Sequence, residues 1–81
     1  MGNNDLLERI VLNEDAMVGK PVVKGTRLTV HLILGLMAQG QAIDEILAEY
    51  KDLNRDDILA CLLFAREALD HIDFVPSTKG S

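Results

Sequence analysis

Three kinds of side chain in this sequence could take part in catalysis or metal binding: two histidines, one thiol and an adjacent pair of carboxylates. His31 and His71 are far apart with no cysteine pair between them, which suggests no structural zinc site. Cys61 lies in an apolar run, where a thiol is usually inert and its ionised form is disfavoured. Asp56 and Asp57 would point about 100° apart on a helix, so they cannot converge on a metal by themselves. We therefore predict no enzymatic activity, no metal and no cofactor.

A second set of candidate residues is basic and lies in a stretch without acids, between Asp15 and Asp44. Glycines beside these residues would let the backbone approach a phosphate closely, which favours a contact surface for nucleic acid or a partner. The alternative is a tight turn in which Gly25 has a positive φ angle and the arginine pairs with an acid of the same domain. The sequence leaves both open. The candidate contact residues here are Lys20, Lys24, Arg27 and His31.

Length and composition limit the chain to one small domain. A domain of 81 residues has marginal stability, and the single cysteine excludes an internal disulfide. The hydrophobic fraction of 48% is high for this size, so we predict a homodimer that covers the surplus apolar surface. The net charge of −5 makes the whole molecule a poor electrostatic match for DNA or an anionic membrane, although the acid-free stretch predicts a modest basic patch.

We expect no targeting signal in this sequence. Its start is polar and acidic, and no segment approaches the ~20 apolar residues that span a bilayer. Leu6 stands where a myristoylation signal has Ser or Thr. We expect a cytoplasmic protein with a reduced thiol and no membrane partner.

Two short β-branched runs, at residues 10–12 and 21–23, predict the strands of a hairpin. A turn-like cluster at residues 13–15 follows the first run, and Gly25 ends the second. Two strands alone are barely stable in water, so this hairpin must pack on other elements. We predict one domain over residues 6–74, with flexible termini at 1–5 and 75–81.

Three helices are predicted after the hairpin. Thr29 is an N-cap residue for the first, and Gly40 is placed to stop it. Apolar residues at i, i+3, i+4 and i+7 from Ile43 indicate the second. Asn54, with Asp57 three residues later, forms the pattern of a capping box at the start of the third.

The third predicted helix contains eight consecutive apolar residues, at positions 58–65. Such a run covers the full circumference of a helix for two turns. One face can pack on the other two helices, and the opposite face needs a partner. We predict that this partner is a second copy, and the candidate interface residues are Leu59, Leu63 and Phe64.

The sequence GKPVVKGTRLTV at residues 19–30 resembles the signature of a small prokaryotic family, domain of unknown function 433. Further matches follow in the helical part, including DEIL at 44–47, so the resemblance covers roughly residues 6–72. Family members look like antitoxins of toxin–antitoxin pairs. The resemblance implies a homeodomain-like three-helix bundle with a helix-turn-helix, preceded by the short hairpin. It also implies a PIN-type nuclease toxin as partner, and DNA binding for autoregulation.

Three positions depart from the family pattern. Ala42 stands where a capping Ser or Thr is usual, which weakens the start of the second helix. Lys51 replaces the usual proline, and Asn54 replaces Ser or Thr as an equivalent cap. None of these changes threatens the fold.

A helix-turn-helix would place the third helix in the major groove of DNA, with polar side chains on base edges. Only Asn54 and Arg55 could serve there, because Asp56 and Asp57 would face phosphates and the rest of the helix is apolar. We therefore favour core and dimer interface over base reading for this helix. The leading hypothesis is an antitoxin-like regulator; the alternatives are a DNA-binding regulator without a toxin and a plain interaction module.

Overall fold

The computed structural model describes residues 3–12 and 20–70. The turn predicted at 13–15, His71 and the tail predicted at 75–81 lie outside these ranges. The described elements are helix α1 (Asn3–Leu7), strands β1 (Ile10–Leu12) and β2 (Pro21–Val23), and helices α2 (Val30–Ala38), α3 (Ile43–Glu49) and α4 (Arg55–Leu69). The predicted mainly helical fold with a short hairpin is confirmed. Within the described residues, no helix combines the length and apolar character needed to cross a membrane.

Helix α1 has no counterpart in the sequence analysis, which starts the domain at residue 6. A helix of five residues is not stable by itself in water, since its first turn fixes several dihedral angles for one hydrogen bond. Here α1 packs against α4, and Leu7 lies near Phe64 and Ala68 of that helix. Tertiary packing therefore supplies the stability that local sequence does not.

The hairpin pairs its strands antiparallel, with Val11 opposite Val22. Val22 and Val23 are buried, while Leu12 of the other strand is 64% exposed. An isolated bridge joins Val22 to Thr29, which connects β2 to the start of α2. The hairpin is thus fixed to the helices by the buried residues of its second strand and by Ile10 of its first strand, which packs against the core, as the instability of isolated hairpins requires.

The core lies where β2 and the helices α2, α3 and α4 meet. Its buried residues come from each of these elements and from the turn before α4. The buried cluster consists of Val23, Val30, Ile33, Ile46, Leu53, Ile58 and Cys61.

The predicted ends of α2 are confirmed. The hydroxyl of Thr29 accepts a hydrogen bond from the Leu32 N–H at 3.0 Å. At the other end Gly40 has φ +102°, and its N–H donates to the Met37 carbonyl while the Gln41 N–H donates to the Leu36 carbonyl. This is a Schellman arrangement, in which glycine takes the left-handed position without steric cost.

The starts of α3 and α4 differ as their capping residues predict. The Ala42 N–H donates to Glu45 Oε1 at 2.7 Å, but the alanine methyl group can accept nothing in return, so half of the capping box is missing. At α4 the box is complete. Asn54 Oδ1 accepts from the Asp57 N–H, and Asp57 Oδ2 accepts from the Asn54 N–H, both at 3.0 Å.

Candidate interaction surface

The basic stretch of the sequence contains a tight turn between β2 and α2. Gly25 has φ +83°, as the turn interpretation expects. Thr26 stabilises the turn because its hydroxyl donates to the Val23 carbonyl at 2.8 Å and accepts from the Leu28 N–H at 3.0 Å. Arg27 is exposed, and no ion pair joins it to an acid among the described residues. The turn is therefore held by threonine and backbone groups rather than by the arginine.

The four basic candidates do not form one cluster. Lys20 and His31 are exposed and line the same apolar groove. Lys24 is exposed in a different cleft, beside Arg9 and the carboxylates of Asp5, Glu8 and Asp57. Only the pair from the groove is brought together by the fold.

A cluster that the sequence analysis missed joins Arg9 to the start of α4. Arg9 Nη1 donates to Asp57 Oδ1 at 3.1 Å, and Nη2 lies 3.6 Å from Asp56 Oδ2. The Asp57 side chain is only 9% exposed, so its charge needs this cation and the capping contact with Asn54. The ion pair could not be predicted from a local sequence pattern, because 48 positions separate Arg9 from Asp57.

The contacts at the start of α4 affect whether this helix could contact the bases of DNA. Asn54 uses its side-chain oxygen for the cap, and the first turn carries the carboxylates of Asp56 and Asp57. Further along, Ile58, Ala60 and Cys61 are buried. Arg55 remains exposed, but a helix with this first turn would bring negative charge toward phosphates. The geometry therefore favours a role for α4 in packing within the domain over contact with bases in the major groove.

An apolar groove of about 520 Å³ lies between the β2–α2 region and the C-terminal half of α4. We call it the α2–α4 groove. Its polar members are Lys20 and His31, and its apolar lining consists of Pro21, Val30, Leu34, Phe64, Ala65, Ala68 and Leu69. A smaller cavity of about 310 Å³ lies beside Phe64 and Ala68 as well, against Leu7 and Ile10. Apolar surface thus continues around the C-terminal half of α4.

The residues predicted for the dimer interface are only partly exposed. Leu59, Leu63 and Phe64 are all half-buried, and Phe64 packs against the core. The more exposed leucines of α4 are Leu62, at 39%, and Leu69, at 62%. Residues seven positions apart lie on the same face of a helix, so Leu62 and Leu69 share a face. The sequence contains this spacing, but it does not show whether this face or another one packs against the core.

The thiol of Cys61 is fully buried. Burial, and then the negative charge of Asp57, raise the pKa of Cys61 from 9.0 to about 12. The thiol is protonated at neutral pH, and the thiolate is the nucleophilic form, so this geometry does not support nucleophilic catalysis. In the described part of the chain, no three His, Cys, Asp or Glu side chains form a group that could hold a metal ion.

A protein-family model matches residues 10–65, from the start of β1 into α4. Its description is "Protein of unknown function (DUF433)". The match includes the hairpin, the turn at Gly25, α2, α3 and most of α4. No curated protein and no solved structure matches this chain.

Proposed function

This chain belongs to the DUF433 family, and on that premise we propose that it is an antitoxin-like regulator in the cytoplasm. It binds a small nuclease toxin of the PIN type and blocks its activity without catalysing a reaction itself. The observation that carries this proposal is the α2–α4 groove, an apolar surface that residues 3–12 and 20–70 leave uncovered.

The groove has the features of a site for a partner helix. Amphipathic helices bind in apolar grooves through side chains spaced at i, i+3, i+4 and i+7. Phe64 and Leu34 form part of the floor while half-buried, and Leu69 is 62% exposed at one side. Full burial of an exposed leucine is worth about 1.5–3 kcal/mol, so covering the exposed part of Leu69 would contribute to the affinity for a partner.

Outside the groove, whose polar members are Lys20 and His31, the charge of the chain favours a basic partner. Asp44, Glu45 and Glu49 of α3 are all exposed, and the whole chain has a net charge of −5. A toxin that cuts nucleic acid carries basic surface for its substrate, and opposite charge speeds encounter with such a surface. Acids on this chain would then compete with the phosphates of the toxin's substrate.

Co-expression with the protein of the adjacent reading frame tests the proposal. We expect a co-purifying complex and relief of growth arrest. Ala68→Asp is expected to abolish both, because Ala68 is an exposed residue of the groove and the change places a charge there. Leu12→Asp is the control, since Leu12 is also exposed (64%) and lies outside the groove. No complex, no relief of toxicity, or equal effects of the two variants would contradict the proposal.

Operator binding is a second candidate function, favoured by the exposure of Lys24 and Arg27 on the two sides of the turn at Gly25. A mobility-shift assay with the chain's own promoter tests it. Replacing Lys24 or Arg27 by alanine is expected to weaken binding, because each change removes one phosphate contact. Each change should also lower the slope of the logarithm of the binding constant against the logarithm of the salt concentration by about one. Binding that ignores these changes would exclude this segment as the DNA contact.

A further inference from the structure

Among the residues that the structure describes, one face of α4 carries exposed side chains from its first turn to its last. The residues on this face follow each other at intervals of four and three positions, which is the spacing of a helix–helix seam. Arg55, Leu62, Arg66 and Leu69 are exposed and Leu59 is half-buried, whereas the opposite face enters the core. We call this face the outer stripe; it consists of Arg55, Leu59, Leu62, Arg66 and Leu69.

We propose that the outer stripe binds the outer stripe of a second copy, with the two α4 helices antiparallel. This inference concerns the protein alone and does not depend on a toxin. Leu59 and Leu62 provide the apolar part of the contact, and the charges at the two ends of the helix select the orientation.

The orientation follows from the charges on the stripe. A parallel pair in register would place Arg55 against Arg55 and Arg66 against Arg66 of the second copy, and these like charges repel each other. An antiparallel pair brings the N-terminal Arg55 near the exposed, C-terminal Asp70 of the second copy, twice per dimer. Antiparallel helix dipoles also attract, whereas parallel dipoles repel.

This end-to-end pairing fixes the register. In a two-fold antiparallel pair, the numbers of facing residues have a constant sum. If Arg55 faces Asp70 of the second copy, Leu59 faces the aliphatic stem of Arg66, and Leu62 lies beside Leu63 at the two-fold axis. Arginine stems commonly cover apolar surface in this way.

The size of the contact sets the expected affinity. With 15 residues, α4 is about 22 Å long. A single helix pair of this length lies below the roughly 1,600 Å² of a standard stable interface. We therefore expect a dimer with a dissociation constant in the micromolar range, visible by sedimentation between about 1 and 500 µM.

Sedimentation with charge-reversed variants is the first test. Arg55→Asp and Asp70→Arg are each expected to weaken the dimer about tenfold, because each turns two attractive pairs into repulsive ones. The double variant is expected to restore it. Leu62→Asp should give a monomer, and Leu12→Asp, outside the stripe, should not. A wild-type monomer at every concentration, or a double variant no better than the singles, would overturn the proposal.

Cross-linking distinguishes the two orientations. In a Cys61→Ala background, Leu62→Cys is expected to form an intermolecular disulfide under mild oxidation, because the two positions 62 meet near the axis. Leu69→Cys should not, since its two copies would lie about 20 Å apart along the helices. Cross-linking at position 69 but not at 62, or equally at both, would contradict the antiparallel arrangement.

Discussion

Arg9 Nη1 donates a hydrogen bond to Asp57 Oδ1 over 3.1 Å, across 48 positions of sequence. The contact ties the turn between α1 and β1 to the first turn of α4. It also neutralises a carboxylate that is 9% exposed and that caps its own helix. The acidic start of α4 is therefore part of the folded domain's own packing.

Arg9→Ala is expected to lower the free energy of unfolding by about 1–2 kcal/mol, because Asp57 keeps its charge and loses its cation. The partial exposure of Arg9, at 37%, keeps the loss below that of a fully buried pair. Urea denaturation measures it. Arg27→Ala is the control, because Arg27 is exposed, and its change should stay within about 0.5 kcal/mol. Equal losses in the two variants would show that the Arg9–Asp57 contact is not stabilising.

Ala42→Ser is expected to stabilise the protein by about 0.5–1 kcal/mol. Ala42 has the extended conformation of an N-cap (φ −79°, ψ 160°), and Glu45 already binds its N–H. A serine hydroxyl would complete the capping box. The converse change, Asn54→Ala, removes an existing cap and should cost about 1 kcal/mol. Thermal unfolding of both variants checks the pair, and a loss of stability in Ala42→Ser would contradict the capping geometry.

Two glycine-to-alanine substitutions should have opposite effects. Gly25 has φ +83°, so Gly25→Ala forces a side chain into the left-handed region at a cost of about 1–2 kcal/mol. Gly35 lies inside α2, and nothing lies within 4 Å of an added Cβ, so Gly35→Ala should gain up to about 1 kcal/mol. In a domain of this size the melting temperatures should move several degrees apart. Shifts of the same sign would refute the assignment of the turn.

Cys61 should make the protein sensitive to alkaline pH. Its pKa is raised from 9.0 to about 12, so the folded state holds the proton more tightly than the unfolded state. The resulting stability is complete below pH 9 and falls as pH rises toward 12, by up to about 1.4 kcal/mol per pH unit.

Urea midpoints of the wild type and Cys61→Ala between pH 8 and 11 measure this effect. The alanine variant starts lower because of the cavity it creates, but its curve should fall less steeply above pH 9. Parallel curves would contradict the raised pKa. At pH 8 the native thiol should also resist a disulfide reagent that modifies it rapidly in urea.

The parts of the fold that could be predicted from the sequence are those that depend on residues close to each other in the chain. Thr29 and Asn54 cap their helices as expected, because an N-cap depends on a side chain and on backbone groups two or three residues away. Gly40 ends α2 for an equally local reason. Helix α1 was not predicted, because its stability comes from contact with α4.

The candidate surfaces were predicted less completely. The sequence indicated that the last helix has too much apolar surface, but it favoured Leu63 and Phe64, whereas Leu62 and Leu69 are more exposed. A continuous apolar run does not show which side of the helix the core will cover. The groove beside Lys20 and His31 likewise depends on β2 and α2 lying against α4.

By itself, the sequence determined the two β-branched runs that become strands and the three main helices with the caps at Thr29 and Asn54, because each depends on neighbours within about four positions. The tertiary structure decided the rest: the ion pair of Arg9 with Asp57, the burial that raises the pKa of Cys61, and the face of α4 left uncovered. These properties depend on distances between residues far apart in the chain. Such distances are set only when the elements pack.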